Sequence, residues 1–213
     1  MIPKILHFVW IGDDSKKPNN CIDTWRKYHP DWKVKVWGNE SLENYKWINT
    51  DHMIEMTNKQ SLSGVADLMR YEILFNEGGV AVDADSVCLK PLENDFLDNE
   101  AFSSWENESI RKGLISMACV GSVPNNYFFK KIITDIKHEN SVIEKKAWQT
   151  VGPSRLSESY YKYKYDDLKI YPSYYFIPVH YTGLKYEGAG PVYANQLWGS
   201  TRGFYNKIYL RKF

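Results

Sequence analysis

The stretch Ser63-Gly64-Val65-Ala66-Asp67-Leu68-Met69-Arg70-Tyr71-Glu72-Ile73-Leu74-Phe75-Asn76-Glu77-Gly78-Gly79-Val80-Ala81-Val82-Asp83-Ala84-Asp85-Ser86-Val87-Cys88-Leu89-Lys90-Pro91 decides the fold. Val65, Leu68, Met69, Ile73 and Leu74 recur at the helical period. Ser61 or Ser63 is the expected N-cap, and Gly78-Gly79 the left-handed stop. Val80-Ala81-Val82 then reads as a short buried strand. Two aspartates follow with only Ala84 between them, and strand alternation would turn both to one face. Asp67 and Arg70, three positions apart, share a helix face. Four ionisable groups are thus gathered at the rim of an otherwise apolar unit. Taken singly, each has a plainer reading, Asp67–Arg70 as a surface ion pair and Asp-x-Asp as a polar turn.

The chain around this stretch reads as alternating strands and helices. Lys4–Trp10 is a β-branched and aromatic strand, with Trp10 at its carboxyl end, where open α/β sheets place ligands. Asn20–His29 is a helix stopped by Pro30, and Lys33–Trp37 a second strand with one solvated face. Strand, helix and strand in this length make a βαβ unit and hence a parallel sheet. Glu40–Trp47 reads as a short helix, and Asp51–Gln60 has no clear pattern. Ser86–Leu92 continues extended. Residues 93–113 read as acidic and irregular, with Trp105-Glu106-Asn107-Glu108 as a polar subsite. Leu114–Val120 reads as a strand, and Asn125 or Asn126 caps a helix running to Ile136. Helices are expected over Val142–Thr150 and 154–167, and strands over Leu168–Tyr171 and Tyr174–Val179. The last forty residues are rich in glycine and loop-like, the character of a segment that closes over a ligand.

The 213 residues are 43% hydrophobic and 25% charged, with a formal net charge of +1. That balance gives no bulk field for nucleic acid or an anionic membrane surface, so any anion must be held locally. Three scattered cysteines (Cys21, Cys88, Cys119) form neither a disulfide framework nor a zinc pattern and suggest a reducing compartment. No signal peptide or transmembrane stretch is evident, so a soluble, cytoplasmic protein is expected. Asn39 and Asn107 head Asn-x-Ser triplets, which read as chance matches. No repeat or linker divides residues 1–213, so one domain is expected.

Two carboxylates as close as Asp83 and Asp85 repel unless a cation joins them. A hard divalent ion, manganese or magnesium, suits oxygen ligands. No phosphate-binding glycine loop is present, so a diphosphate would depend on that cation. This favours a nucleotide-sugar enzyme over a kinase or dehydrogenase. A phosphohydrolase using Asp83 would need further converging acids, for which no second acidic motif is evident. A non-catalytic nucleotide- or carbohydrate-binding module is the other alternative.

Ile2-Pro3-Lys4-Ile5-Leu6-His7-Phe8-Val9-Trp10-Ile11-Gly12, the Ser63–Leu74 helix and Glu77–Asp85 together resemble the DXD sugar-transferase family (glycosyltransferase family 32). That family includes Och-type mannosyltransferases and bacterial capsule glycosyltransferases. Val151-Gly152-Pro153 and Ala194–Thr201 resemble two further elements of it. The compact length is also similar to the amino-terminal domain of a multidomain glycosyltransferase of large algal viruses. The resemblance implies an α/β GT-A domain with a mostly parallel central sheet flanked by helices and a loop-rich closing tail. Residues 1–92 would form its nucleotide-sugar half, and residues 93–213 the acceptor half and tail. It implies a metal-dependent, retaining hexosyltransferase moving sugar from a nucleoside diphosphate donor to a glycan or glycoprotein acceptor. UDP-glucose is favoured, with UDP-galactose, UDP-rhamnose and GDP-mannose as other donors, and polysaccharide biosynthesis as the setting.

Residue by residue, the resemblance places Trp10 near the base. It puts Asp67 and Arg70 on the ribose, sugar or phosphate, Asp83 on ribose and metal, Asp85 on the metal and Trp198 on the diphosphate. Asp83, Asp85 and Arg70 would carry catalysis. Two departures stand out. Ala81 replaces a usual Tyr, and Gln196-Leu197-Trp198 replaces a frequent His-His-Trp. Gln196, Asn195 or water would then complete the metal shell, with His180 a further candidate.

Overall fold

The structure is a computed structural model that describes residues Met1–Phe213. Its first strand, β1 (Ile5–Val9), is buried from Leu6 onward and pairs in parallel with β2 (Lys33–Trp37). Helix α1 (Asn19–Tyr28) crosses between them, which completes the expected βαβ unit. Two short helices follow, α2 (Asn39–Asn44) and α3 (Thr50–Asn58). Sequence gave no pattern for α3, yet His52, Met53 and Met56 are buried on its inner side.

Helix α4 (Leu62–Glu77) runs where its apolar period placed it. Ser61 stands at its N-cap, but neither serine makes a side-chain capping bond; the Ser61 carbonyl closes the first turn by accepting from Gly64 N at 2.9 Å. Gly78 and Gly79 end the helix with φ of +64° and +91°. A side chain has no room at either. A Cβ on Gly78 would sit 2.7 Å from the Pro124 ring, and one on Gly79 2.7 Å from the Ile5 carbonyl. This double turn drops the chain into β3 (Gly79–Val82), which lies parallel to β1.

The strand stops at Val82, so strand alternation does not bring the two aspartates together as expected. Asp83-Ala84-Asp85 is a turn, closed by Ser86 N donating to the Asp83 carbonyl at 2.9 Å. Beyond it lie β4 (Ser86–Cys88), α5 (Asn94–Leu97), β5 (Ala101–Ser104) and β6 (Cys119–Ser122). Residues 93–113 are therefore not irregular. Their four-residue helix and strand are too short to show a period in the sequence, although Phe96, Leu97 and Phe102 are all buried. The expected Leu114–Val120 strand is shifted toward its carboxyl end, and Ile115 makes only an isolated bridge with Trp105.

Helix α6 (Tyr127–Lys137) is capped by Asn126, whose side chain accepts from Phe128 N at 2.9 Å. Helices α7 (Ala147–Thr150) and α8 (Pro153–Tyr163) lead to β7 (Leu168–Tyr171). Helical structure over 142–150 is thus confined to its last turn. Tyr174–Val179 is not a strand: a 3-10 turn occupies Ser173–Tyr175, and Phe176 and Ile177 are core residues. The tail forms β8 (Ala194–Gln196), α9 (Gly199–Arg202) and α10 (Tyr205–Ile208).

The main sheet has the order β2-β1-β3-β6-β5-β7 and draws strands from both ends of the chain. It is mostly parallel, with β6 reversed between β3 and β5. Alternate residues point to opposite faces. Val80, Val82 and Phe102 pack with α1 and α5, while Ala81 and Val120 pack with α3, α4, α6 and α8. Each fully buried Leu, Ile or Phe side chain contributes about 1.5–3 kcal/mol before chain entropy is counted. Strand β4 leaves this sheet and pairs antiparallel with β8, setting Ser86 opposite Gln196. The three cysteines are free buried thiols, and no helix is long and apolar enough to cross a membrane. Asn107 is fully buried.

Candidate functional site

A cavity of about 1000 Å³ opens at the carboxyl ends of β1 and β3. Trp10, Asp67, Arg70, Asp83, Asp85, Gln196 and Trp198 all line it, whereas the further metal-ligand candidates Asn195 and His180 do not.

Its centre is the Asp83–Asp85 turn. Gln196 Nε2 donates to Asp83 Oδ2 and to Asp85 Oδ1, at 3.0 Å each. One amide nitrogen therefore occupies the point on which two carboxylates converge. The β4–β8 pairing puts it there, from 111 residues away. The other Asp85 oxygen accepts from Gly199 N at 2.5 Å. Asp85 is 3% exposed, and burial, reinforced by Asp83, raises its carboxyl pKa to about 6. Gln196 Oε1 is buried without any partner.

Arg70 lies on the other side of Asp83. Its Nη2 donates to Asp83 Oδ1 at 2.6 Å and its Nη1 to the Met117 carbonyl at 2.5 Å, while Nε has no partner. Asp67 is only loosely joined to it, at 3.9 Å. Burial is the main cause that lifts the Asp67 pKa to about 7, opposed by Arg70 and helped by Asp83. Gly152 lets Asp67 sit there, since a Cβ at that glycine would lie 2.7 Å from Asp67 Oδ2.

An acid whose folded pKa is raised resists ionisation in the fold. Its stabilising contribution is present below the unfolded pKa and is lost as pH rises through the folded one. For Asp67 that window runs from the ordinary 3.8 to about 7. Asp67→Asn should therefore gain melting temperature over the native chain at pH 8, with the gain shrinking toward pH 4. A pH-independent difference between the two melting curves would refute this account of Asp67.

Trp10 donates its indole N–H to the Asp13 carbonyl at 3.1 Å and meets Tyr205 edge-on, with ring centroids 4.9 Å apart. Tyr205, from α10, was missed in the sequence because a lone Tyr in a loop-rich tail carries no signal. Trp198 adopts φ of +62°, and its indole N–H goes to the Val179 carbonyl at 2.9 Å, so it presents a ring to the cavity and no free donor. His180 is fully buried against Thr182 and Glu106 and does not reach the aspartates. Glu106, Arg111, Trp148 and Tyr181 line the far end. Of these, only Glu106 was touched by the sequence reading, within the polar run Trp105–Glu108.

No three His, Cys, Asp or Glu side chains converge as a metal cluster. The oxygen set nonetheless suits a hard cation. Two carboxylates already point at one position, and the orphaned Gln196 Oε1 would join them by rotation of its amide.

Residues 15–103 match the family described as "Glycosyltransferase sugar-binding region containing DXD motif". A mannosyl phosphorylinositol ceramide synthase of Saccharomyces cerevisiae is 30% identical over 65% of this chain and 35% of its own length. An uncharacterized glycosyltransferase of Acanthamoeba polyphaga mimivirus is 30% identical over 64% of this chain and 56% of its own. Inositol phosphoceramide mannosyltransferase 1 of Schizosaccharomyces pombe is 26% identical over 76% and 52%. The chain thus spans from about a third to just over half of the length of these relatives.

Among solved structures, PaToxG glycosyltransferase superposes with a TM-score of 0.62 at 15% identity, over 76% of this chain and 70% of that one. A glycosyltransferase involved in glycosylation of the PBCV-1 major capsid gives 0.53 at 11% identity, over 96% and 97%. At such identities these likenesses speak to the fold, which is GT-A. Over residues 15–103 this chain is thus similar to the DXD-containing sugar-binding region of the glycosyltransferases, on a fold like theirs.

Proposed function

We propose that the protein is a metal-dependent, retaining glycosyltransferase that moves a hexose from a nucleoside diphosphate sugar to an acceptor hydroxyl. The observation that carries this reading is the convergence of Asp83 and Asp85 on one position beside Arg70. Asp83, Asp85 and Gln196 would hold manganese or magnesium, which, when bound, neutralises charge on the departing diphosphate.

The chain's own groups do the rest. Arg70 fixes the Asp83 carboxylate and keeps a positive charge next to it. Asp67 faces the donor sugar with an unpaired carboxyl oxygen. Trp10 and Tyr205 offer aromatic faces for the base, and the Trp198 ring covers the diphosphate. The acceptor oxygen bonds to the anomeric carbon on the face from which the phosphate oxygen departs. Its proton passes to that phosphate oxygen, so the protein supplies no separate base.

Donor identity is proposed at the level of a hexose. UDP-glucose follows from the resemblance of the sequence. The names of the yeast relatives, mannosyltransferases acting on inositol phosphoceramide, support GDP-mannose as its equal. The test is a panel of UDP- and GDP-sugars, each read by thermal shift and by donor hydrolysis, with and without manganese. One donor should raise the melting temperature and be hydrolysed only with the cation. Hydrolysis that ignores manganese, or no donor bound at all, would reject the reading.

A further inference from the structure

The cavity wall also holds a carboxylate, Glu106, which the donor chemistry does not use. It is 4% exposed. Its Oε1 is pinned from two sides, by His180 Nε2 at 3.2 Å and by Arg111 Nη1 at 3.2 Å. Its Oε2 makes no hydrogen bond. Arg111 is itself held, with its guanidinium 4.6 Å over the Trp148 ring and 5.5 Å over Tyr181, and Nη2 donating to the Tyr181 hydroxyl at 3.1 Å. The clamp on Oε1 fixes the direction of the carboxylate and leaves Oε2 as an acceptor open to the cavity.

We propose that Glu106 and Trp148 form the acceptor subsite and that it takes a neutral polyhydroxylated ring. A ring hydroxyl donates to Glu106 Oε2, and the apolar C–H face of the ring packs on the cavity-lining surface of the Trp148 indole that Arg111 leaves uncovered. A cation is not the fitting occupant, since Arg111 already neutralises the one carboxylate there. The same chemistry is offered by a hexose and by a cyclitol. This deepens the transferase reading and rests on it, since an acceptor has meaning only beside a donor.

The test reads polyol binding directly, without donor. Saturation-transfer NMR on the full chain uses methyl α-D-mannopyranoside in one arm and myo-inositol in the other. At least one should bind the native chain, and which one identifies the source. Glu106→Gln should weaken that binding about tenfold or more, the scale of a lost charge-assisted hydrogen bond. Trp148→Ala, at a half-buried wall residue outside the Glu106–His180 pair, should weaken it several-fold. Failure of both polyols to bind the native chain overturns the proposal, as does native-strength binding by Glu106→Gln. If Glu106→Gln loses its dispersed NMR spectrum, Trp148→Ala decides: unchanged binding overturns the proposal and weakened binding upholds it. Binding of UDP and of GDP, each with manganese, is measured separately. Absence of both alongside an intact polyol result would reject the donor reading and leave a polyol-binding site standing.

Discussion

Asp85→Asn should lower manganese-dependent donor turnover by on the order of 10²-fold or more, the scale seen when one electrostatic stabiliser of a transition state is removed. The same change should leave the fold intact. Asp85 sits between Gln196 Nε2 and Gly199 N, both of which donate to it. An Asn there keeps one oxygen for Gly199. Its new N–H₂ gives up the bond from Gln196 Nε2, which stays on Asp83 Oδ2. The neutral side chain also removes the cost of ionising a buried acid. Because the Asp85 pKa is raised to about 6, that cost is present above pH 6 and fades toward the ordinary 3.8. The variant should therefore melt no lower than the native chain at pH 8, with its relative advantage falling as pH drops. Loss of manganese binding, followed by titration of the bound ion, should accompany lost turnover. Full turnover in a folded Asp85→Asn would remove the cation from the mechanism.

Arg70→Ala is expected to be the most damaging single change to stability. It strips the cation from between Asp67 and Asp83 and leaves the Met117 carbonyl without its donor. Breaking a buried ion pair from one side costs about 3–5 kcal/mol. For a chain of this size that corresponds to a fall in melting temperature of roughly 10 °C. Activity should fall with it, since Asp83 loses the bond that fixes its carboxylate. Arg70→Lys should rescue neither property. A single ammonium cannot span the 2.6 Å contact to Asp83 and the 2.5 Å contact to Met117 in the way a planar fork does. Denaturant unfolding of the two variants measures this, and native-like stability in Arg70→Lys would show that the fork geometry is unimportant.

The sequence carried the unit from α4 to the aspartates because several local signals agree there: a helical apolar period, two glycines and a run of apolar residues. It carried β1, α1 and β2 for the same reason. It did not carry β5 or α5, whose four residues each are too few to express a period. Nor did it carry the reversal of β6, which is set by packing across the sheet. The Asp-Ala-Asp pairing was expected for the wrong local reason, since a turn and not a strand presents it. Gln196 was reachable only through the resemblance, because nothing near it in the chain marks it; its position depends on β8 finding β4. Glu106 shows the same limit. Its run looked polar, but its clamp comes from Arg111 and His180, and the latter lies 74 residues away.

The β4–β8 pairing has a consequence for biosynthesis. Nearly everything that shapes Asp83 up to the end of α4 and β3 is made early, but the groups that organise Asp85 arrive with residues 196 and 199. Contacts so far apart in the chain form late, because their loop-closure entropy must be met first. A nascent chain that has not reached Ala194 holds the donor-side helix and the aspartates, yet has neither the amide nor the strand that brings them to one point. Under the proposed transferase function, a chain ending before Ala194 should show no manganese-dependent donor hydrolysis, because it lacks the amide and strand that join the two carboxylates.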